Sequence, residues 1–188
     1  MFSRRNTLQF MSRAAFVVVA IAVAACNPSS VATERTGVAY ATFSDVQGRE
    51  VAAAELWQDR NNVVHADIQF HSLPEGTHAI HFHAVAQCDP SGATPFASAG
   101  AHYNPLGRQH GLDNPAGPHG GDAPNFAVTS GGNGRATFNT DRVSITAGST
   151  SLFDADGSSI VVHAAGDDQI SQPAGNSGGR IACGVLRR

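Results

Sequence analysis

The strongest constraint on the fold is a series of short segments in which apolar and polar residues alternate, each bounded by Gly, Asp, Asn or Pro. Residues 38–43, 50–58, 63–70 and 76–83 alternate with a period of two, the spacing at which successive side chains leave opposite faces of a strand. Ala52, Ala53 and Ala54 favour helix by propensity, but the length and flanks of their segment suit a strand. Alternation then stops. Residues 84–133 carry a dense scatter of Gly, Pro, Asn and Asp, and a stretch of that length without periodicity inside a domain is uncommon and usually functional or disordered. The pattern resumes at 135–138, and 143–145, 159–163 and 181–186 complete about eight strands, with a second irregular stretch at 164–179. No internal repeat and no long amphipathic helix is visible. The sequence predicts an all-β sandwich or barrel with two long excursions.

Composition narrows the function. A chain of 188 residues holds one domain or two small ones, and 41% hydrophobic against 14% charged residues is too apolar for disorder. All 12 of its basic residues are Arg, no Arg run exceeds two, and the net charge is -3, which argues against a polybasic nucleic-acid binder. Nine His instead raise metal binding.

Residues 1–25 read as a signal peptide: Arg4, Arg5 and Arg13 precede an apolar run, 14–25, too short to cross a bilayer. The run ends in Val23-Ala24-Ala25-Cys26, which resembles the lipobox of bacterial lipoproteins, where the Cys is lipidated and becomes the new N-terminus. Cleavage after Ala25 by ordinary signal peptidase is the alternative and leaves Cys26 a free thiol. The segment from Ser3 to Leu8 loosely resembles a twin-arginine export motif, with Thr7 where an aromatic residue is expected. Residues 26–36 then form a lipidated Cys and polar tether, and a domain spans 37–188. Three Arg and no acid fall in the leader, so the remaining chain carries a formal charge of -6. Export to a periplasm or cell envelope, membrane-anchored, places the chain where Cys88 and Cys183 can persist as a disulfide, with Cys26 accounted for by lipid. Closing so long a loop is worth roughly 4–5 kcal/mol in the chain-entropy model.

The histidines sort by position. His81 and His83, two apart on a predicted strand, leave one face and can converge on a metal ion. His78 points the other way on a regular strand and reads as structural. His102, His110 and His119, with Asp122 three residues beyond the last, lie in the long irregular stretch, where a metal supplies the order that secondary structure does not. Three imidazoles and one carboxylate suit zinc. His163 closes a strand whose same-face neighbours are Val161 and Ser159, which puts the His81/His83 side within its reach as a copper-type ligand. His65 and His71 sit on an ordinary alternating segment and read as surface or packed histidines.

Six blocks now carry a family resemblance. Gly76-Thr77-His78-Ala79-Ile80-His81-Phe82-His83, Ser98-Ala99-Gly100-Ala101-His102-Tyr103-Asn104-Pro105, Arg108-Gln109-His110-Gly111, Gly117-Pro118-His119-Gly120-Gly121-Asp122, Val161-Val162-His163 and the run from Gly175 to Val185 resemble copper/zinc superoxide dismutase in order and spacing. The segment from His110 to His119 is similar to the exported bacterial branch in particular.

The resemblance implies an eight-stranded Greek-key β-barrel or flattened sandwich with two long functional loops. It implies one copper per subunit, held by His81, His83, His102 and His163, and one zinc per subunit, held by His102, His110, His119 and Asp122. His102 would bridge the two metals. Asp167 would link His81 to His110, and Arg180 would attract and orient superoxide with a charge that does not titrate. The Cys88–Cys183 disulfide would pin the copper-side loop near Arg180. The implied reaction converts superoxide to oxygen and hydrogen peroxide as copper is alternately reduced and oxidised. A homodimer is a further expectation.

Some positions depart from the family pattern. Ala79 stands where Gly is common, Phe82 is bulkier than usual, Pro173 and Ala174 replace polar rim residues, and the loop after Asp167 is shorter and has no Lys. These bear on substrate guidance and not on metal binding. A periplasmic copper- or zinc-binding protein on the same scaffold is the competing function.

Overall fold

The computed structural model describes residues 34–188. The expected leader, Cys26 and the tether up to residue 33 lie outside the described residues. Nine antiparallel strands follow: β1 (Gly37–Asp45), β2 (Glu50–Gln58), β3 (Val64–Phe70), β4 (Gly76–His78), β5 (Ile80–His83), β6 (Phe126–Val128), β7 (Gly134–Thr140), β8 (Ser159–His163) and β9 (Arg180–Val185). They form one sheet in the order β4-β6-β7-β3-β2-β1-β9-β8-β5. The two ends of that order, β4 and β5, are joined in the chain by Ala79 alone, so the sheet curls into a nearly closed barrel. Ala79 bonds to neither strand. Its N–H donates to Ala165 O and its carbonyl accepts from His163 N–H, each at 2.9 Å.

Alternation builds the core as the sequence implied. Ala39, Ala41 and Phe43 of β1 point inward, as do Ala54 and Leu56 of β2 and Ala66, Ile68 and Phe70 of β3. In β2, Val51 and Ala52 are both buried because the register against β1 shifts between Phe43 and Ser44. A bulge there inserts one extra residue, Val51, so the period of two breaks just before the Ala run, which itself alternates.

Nine strands stand where eight were expected, and three segments account for the difference. The single strand expected at 76–83 breaks at Ala79 into β4 and β5. Strand β6 was hidden in the long irregular stretch because three residues, Phe126-Ala127-Val128, are too few to show a period. Residues 143–145 form no strand, only an isolated bridge between Ser144 and Ser151. Val143 and Ile145 are buried all the same, and the Ile145 N–H donates to the Gln58 side-chain carbonyl at 2.7 Å instead of to a strand. A satisfied backbone thus needs no ladder here. The only helix among the described residues is a single 3-10 turn, Ala97–Ala99.

Candidate metal centre

Every residue of β5 and β8 is buried, on both faces. Ile80, Phe82, Ile160 and Val162 enter the barrel core. Alternation therefore sends His81, His83 and His163 to the opposite face, where the two irregular stretches cover them. Part of the first stretch runs alongside β5: Tyr103 N–H donates to Phe82 O at 2.8 Å, and Phe82 N–H donates to Gly121 O at 2.9 Å. Isolated bridges set His102 opposite His83 and Asp122 opposite His81. Residues 20 apart in an aperiodic segment are thus brought to one place by backbone pairing.

One ligand atom from each of His81, His83, His102 and His163 lies within 4.8 Å of the others. Each ring has one nitrogen fixed from outside. His81 Nε2 donates to Asp167 Oδ2 at 2.8 Å, His83 Nδ1 to Gly100 O at 2.9 Å and His163 Nδ1 to Gly178 O at 3.2 Å, while His102 Nδ1 lies 3.0 Å from Asp122 Oδ1. The other nitrogens, His81 Nδ1, His83 Nε2, His102 Nε2 and His163 Nε2, are buried and have no hydrogen-bond partner. A buried nitrogen without a partner is costly, and four converging ones form a donor set suited to a bound cation. Burial also favours the neutral ring: it pushes His83 well below its ordinary value, His102 down to about 4 and His163 down to about 3. At neutral pH these rings present lone pairs, and an all-imidazole set fits copper.

The second group shares His102. The Nδ1 atoms of His102, His110 and His119 lie 3.0, 2.9 and 3.3 Å from the same oxygen, Asp122 Oδ1. Tetrahedral ligands at zinc bond lengths of about 2.0 Å are about 3.3 Å apart, so this spacing fits a zinc ion. Asp122 Oδ2 is turned away, accepting the N–H groups of Gly111 at 2.8 Å and His119 at 2.9 Å. Burial alone would raise the Asp122 pKa, but the three imidazoles hold it far below the carboxylate range. Burial likewise opposes charge on His110, yet Asp122 and Asp167 together raise it to about 9. The pocket between those carboxylates favours a positive charge, proton or metal.

Asp167 joins the groups. Its Oδ2 faces His81 Nε2 and its Oδ1 lies 3.0 Å from His110 Nε2. Gly175 makes room for this: at φ +63°, an added Cβ would fall 1.7 Å from Asp167 Oδ1. Side-chain amides sew the second irregular stretch to the first. Gln172 pairs with both backbone groups of His110, accepting from N–H at 2.9 Å and donating to O at 3.0 Å. Asn125 does the same for Asp167, both at 2.8 Å.

A cavity of about 520 Å³ opens over the first group, lined by His83, His102, His163, Pro173, Ala174 and Arg180. Half-buried Arg180 donates to the carbonyls of Phe96 and Gly100, the latter at 2.6 Å. Cys88 and Cys183 are disulfide-bonded, with a Cα–Cα distance of 5.6 Å. Cys183 packs with Phe96, Ala99 and Val161 in a small cluster apart from the barrel core, so the bridge ties the loop bearing both Arg180 acceptors to β9.

The remaining histidines lie elsewhere. His78 spans His163 O at 2.8 Å and Pro74 O at 2.9 Å. His65 stacks on Trp57 and lies 3.2 Å from Asp59, and exposed His71 reaches Glu50 O at 3.0 Å. The sequence reading missed Gln172, Asn125 and Arg142, which hold the ligand segments by their backbones. Such contacts join residues up to 62 positions apart and leave no periodic signal.

Residues 50–186 match the family described as copper/zinc superoxide dismutase (SODC). The chain is 39% identical over 150 residues to Superoxide dismutase [Cu-Zn] 1 of Aquifex aeolicus, covering 79% of this chain and 86% of that protein. It is 38% identical over 143 residues to Superoxide dismutase [Cu-Zn] of Caulobacter vibrioides, covering 74% and 80%. Among solved structures, a SOD-like protein from Bacillus subtilis superposes with a TM-score of 0.72 at 32% identity, over 79% of this chain and 97% of that one.

Proposed function

The chain belongs to the copper/zinc superoxide dismutase family, and from that premise we propose that His81, His83, His102 and His163 hold its copper and that His102, His110, His119 and Asp122 hold its zinc. As a family member the protein is an oxidoreductase, with one copper and one zinc per subunit and superoxide as substrate. The observation that carries the residue assignment is the set of four unpartnered imidazole nitrogens gathered beside Arg180.

The reaction consumes two superoxide anions and two protons and yields oxygen and hydrogen peroxide; copper supplies its one-electron redox chemistry. The chain's own residues do the rest. Arg180 attracts the anion to the cavity floor and orients it, its guanidinium held by two carbonyls. Pro173 and Ala174 line the cavity without offering charge. His102 presents Nε2 to one metal group and Nδ1 to the other. With both metals bound it would bridge them, and its Nε2 is the atom that would hold and pass on a proton. Asp167 fixes His81 and His110 in their orientations.

Residues 1–25 export the chain, Cys26 carries lipid, 26–36 tether the domain at 37–188, and the protein works in the periplasm or cell envelope as a homodimer. The disulfide supports an oxidising compartment. An unmodified Cys26 at the N-terminus of the processed chain, found by mass spectrometry, would remove the anchor.

The test of the site is direct. Copper- and zinc-loaded protein should dismutate superoxide in a cyanide-sensitive way, and His102→Ala should disturb both metals. Fully loaded protein with no activity would leave only a metal-binding role.

A further inference from the structure

We propose that Arg142 is a positioning residue for the zinc ligands His119 and Asp122, holding them through their backbone carbonyls; this rests on the zinc assignment proposed above. Arg142 follows β7 and reaches the backbone of two zinc-group residues without bonding to any ligand atom. Its guanidinium is half-buried and forked: Nε donates to His119 O at 3.3 Å and Nη2 to Asp122 O at 2.7 Å. Those carbonyls belong to the first and last residues of His119-Gly120-Gly121-Asp122, which supplies two of the four ligands.

The segment needs such a clamp because of what lies between its ends. Gly121 is required by close approach, since an added Cβ would sit 2.3 Å from Phe82 O and 3.0 Å from Tyr103 N. Gly120 is tight rather than blocked, with Pro105 Cδ, Tyr103 O and Arg142 O within 3.3 to 3.4 Å of its added Cβ. Two consecutive glycines let the chain pass against β5, but they leave it the largest conformational freedom to lose. A rigid planar fork spanning both ends removes that freedom before a metal arrives. Arg142 also lies within Coulombic reach of the Asp122 carboxylate. Burying a guanidinium is costly, and the carbonyls of ligand residues and the Asp122 and Asp141 carboxylates offset that cost only in part, since burial still lowers the Arg142 pKa on balance.

The experiment measures zinc affinity of the full domain by competition with a chelating dye, copper affinity in parallel, and the visible spectrum of Co(II) bound in place of zinc. Arg142→Ala should weaken zinc roughly 10–100-fold, the range for groups that orient metal ligands, and alter the Co(II) spectrum while leaving copper affinity within about twofold. Arg142→Lys, which can reach one carbonyl but not fork across two, should fall between. Arg135→Ala, which removes an exposed arginine paired with Asp67, should leave zinc binding unchanged and controls for charge. Unchanged zinc affinity in folded Arg142→Ala or Arg142→Lys overturns the proposal, as does an equal loss in Arg135→Ala. If the unaltered protein binds no zinc, the metal assignment itself fails and this inference falls with it.

Discussion

Arg180 and His83 donate to the same acceptor, the Gly100 carbonyl oxygen, at 2.6 and 2.9 Å. The anion-guiding group and a proposed copper ligand are thereby indexed to one backbone atom. Their separation does not depend on either side chain's own flexibility.

Arg180→Ala should therefore separate binding from catalysis. His83 keeps its bond to Gly100, so copper content should remain intact, while superoxide removal falls by roughly tenfold or more, as expected when a steering charge is lost. Arg180→Lys keeps the charge without the fork and should be intermediate. Metal analysis alongside a superoxide assay decides it, and full activity in Arg180→Ala would refute the assignment.

Cys88→Ser tests the support beneath that pair. The bridge closes a separation of 95 residues, worth about 4–5 kcal/mol in the chain-entropy model, so denaturant unfolding should shift to markedly lower concentration. Activity per bound copper should also fall, because the loop presenting the Phe96 and Gly100 carbonyls is no longer pinned to β9. A stability loss with unchanged activity per copper would show that the disulfide serves the fold alone.

Much of this design was legible in the residues. Strands β1 to β3 could be read from alternation, since each buries one face and a period of two records that. His81 and His83 could be read for the same reason, as a pair on one face. The break at Ala79 could not, because its hydrogen bonds run to residues 163 and 165, far along the chain. Val143 and Ile145 looked like a strand because burial alone produces alternation, and only the Gln58 side chain reveals where that backbone is satisfied. Asp167 and its neighbour Asp168 differ only in context: Asp168 caps its own loop through Ile170 and Ser171, whereas Asp167 faces two imidazoles. The family resemblance distinguished them where local pattern did not.

Asp167→Asn should loosen both metal groups unequally. Its Oδ1 serves His110, a proposed zinc ligand, and its Oδ2 serves His81, a proposed copper ligand that β5 also positions. Zinc affinity should drop roughly 10–100-fold and copper affinity by less. Competition titrations with each metal provide the comparison; equal losses would place the two ligands under the same control.

The metal-free protein should be most stable near the ordinary histidine pKa. Burial holds His102 at about 4 and His163 at about 3, below the usual 6.5. Below pH 6.5 the unfolded chain then binds more protons than the folded one, and stability is lost as pH falls toward 4 and then 3. His110 has the opposite sign: burial opposes its charge, but Asp122 and Asp167 raise it to about 9, so its contribution is present below 6.5 and lost as pH rises through 9. Melting temperatures in excess chelator should fall on both sides of a maximum near pH 6.5. A steady rise toward pH 4 would contradict the burial argument.

Salt should slow the enzyme. With a formal charge of -3 for the whole chain and no Lys at the rim, long-range attraction of an anion falls to Arg180 and the metals. Added salt screens that local field, so the second-order rate constant should decline as ionic strength rises. A flat profile would mean that arrival is governed by the cavity's shape.

The one-residue seam at Ala79 ties solubility to the metal site. Strands β4 and β5 do not pair with each other, and the gap between them is sealed by the bond Ala79 N–H donates to Ala165 O and the one its carbonyl accepts from His163 N–H. Ala165 lies two residues before Asp167, in the same stretch that the amides of Gln172 and Asn125 fasten down. Pulling that stretch away unseals the barrel at Ala79 and leaves β4 a loosened edge beside the seam, while β5 stays paired with the first irregular stretch; such an edge invites self-association with a neighbouring chain. Protein stripped of metal and lacking Asp167 should accordingly aggregate sooner than it unfolds.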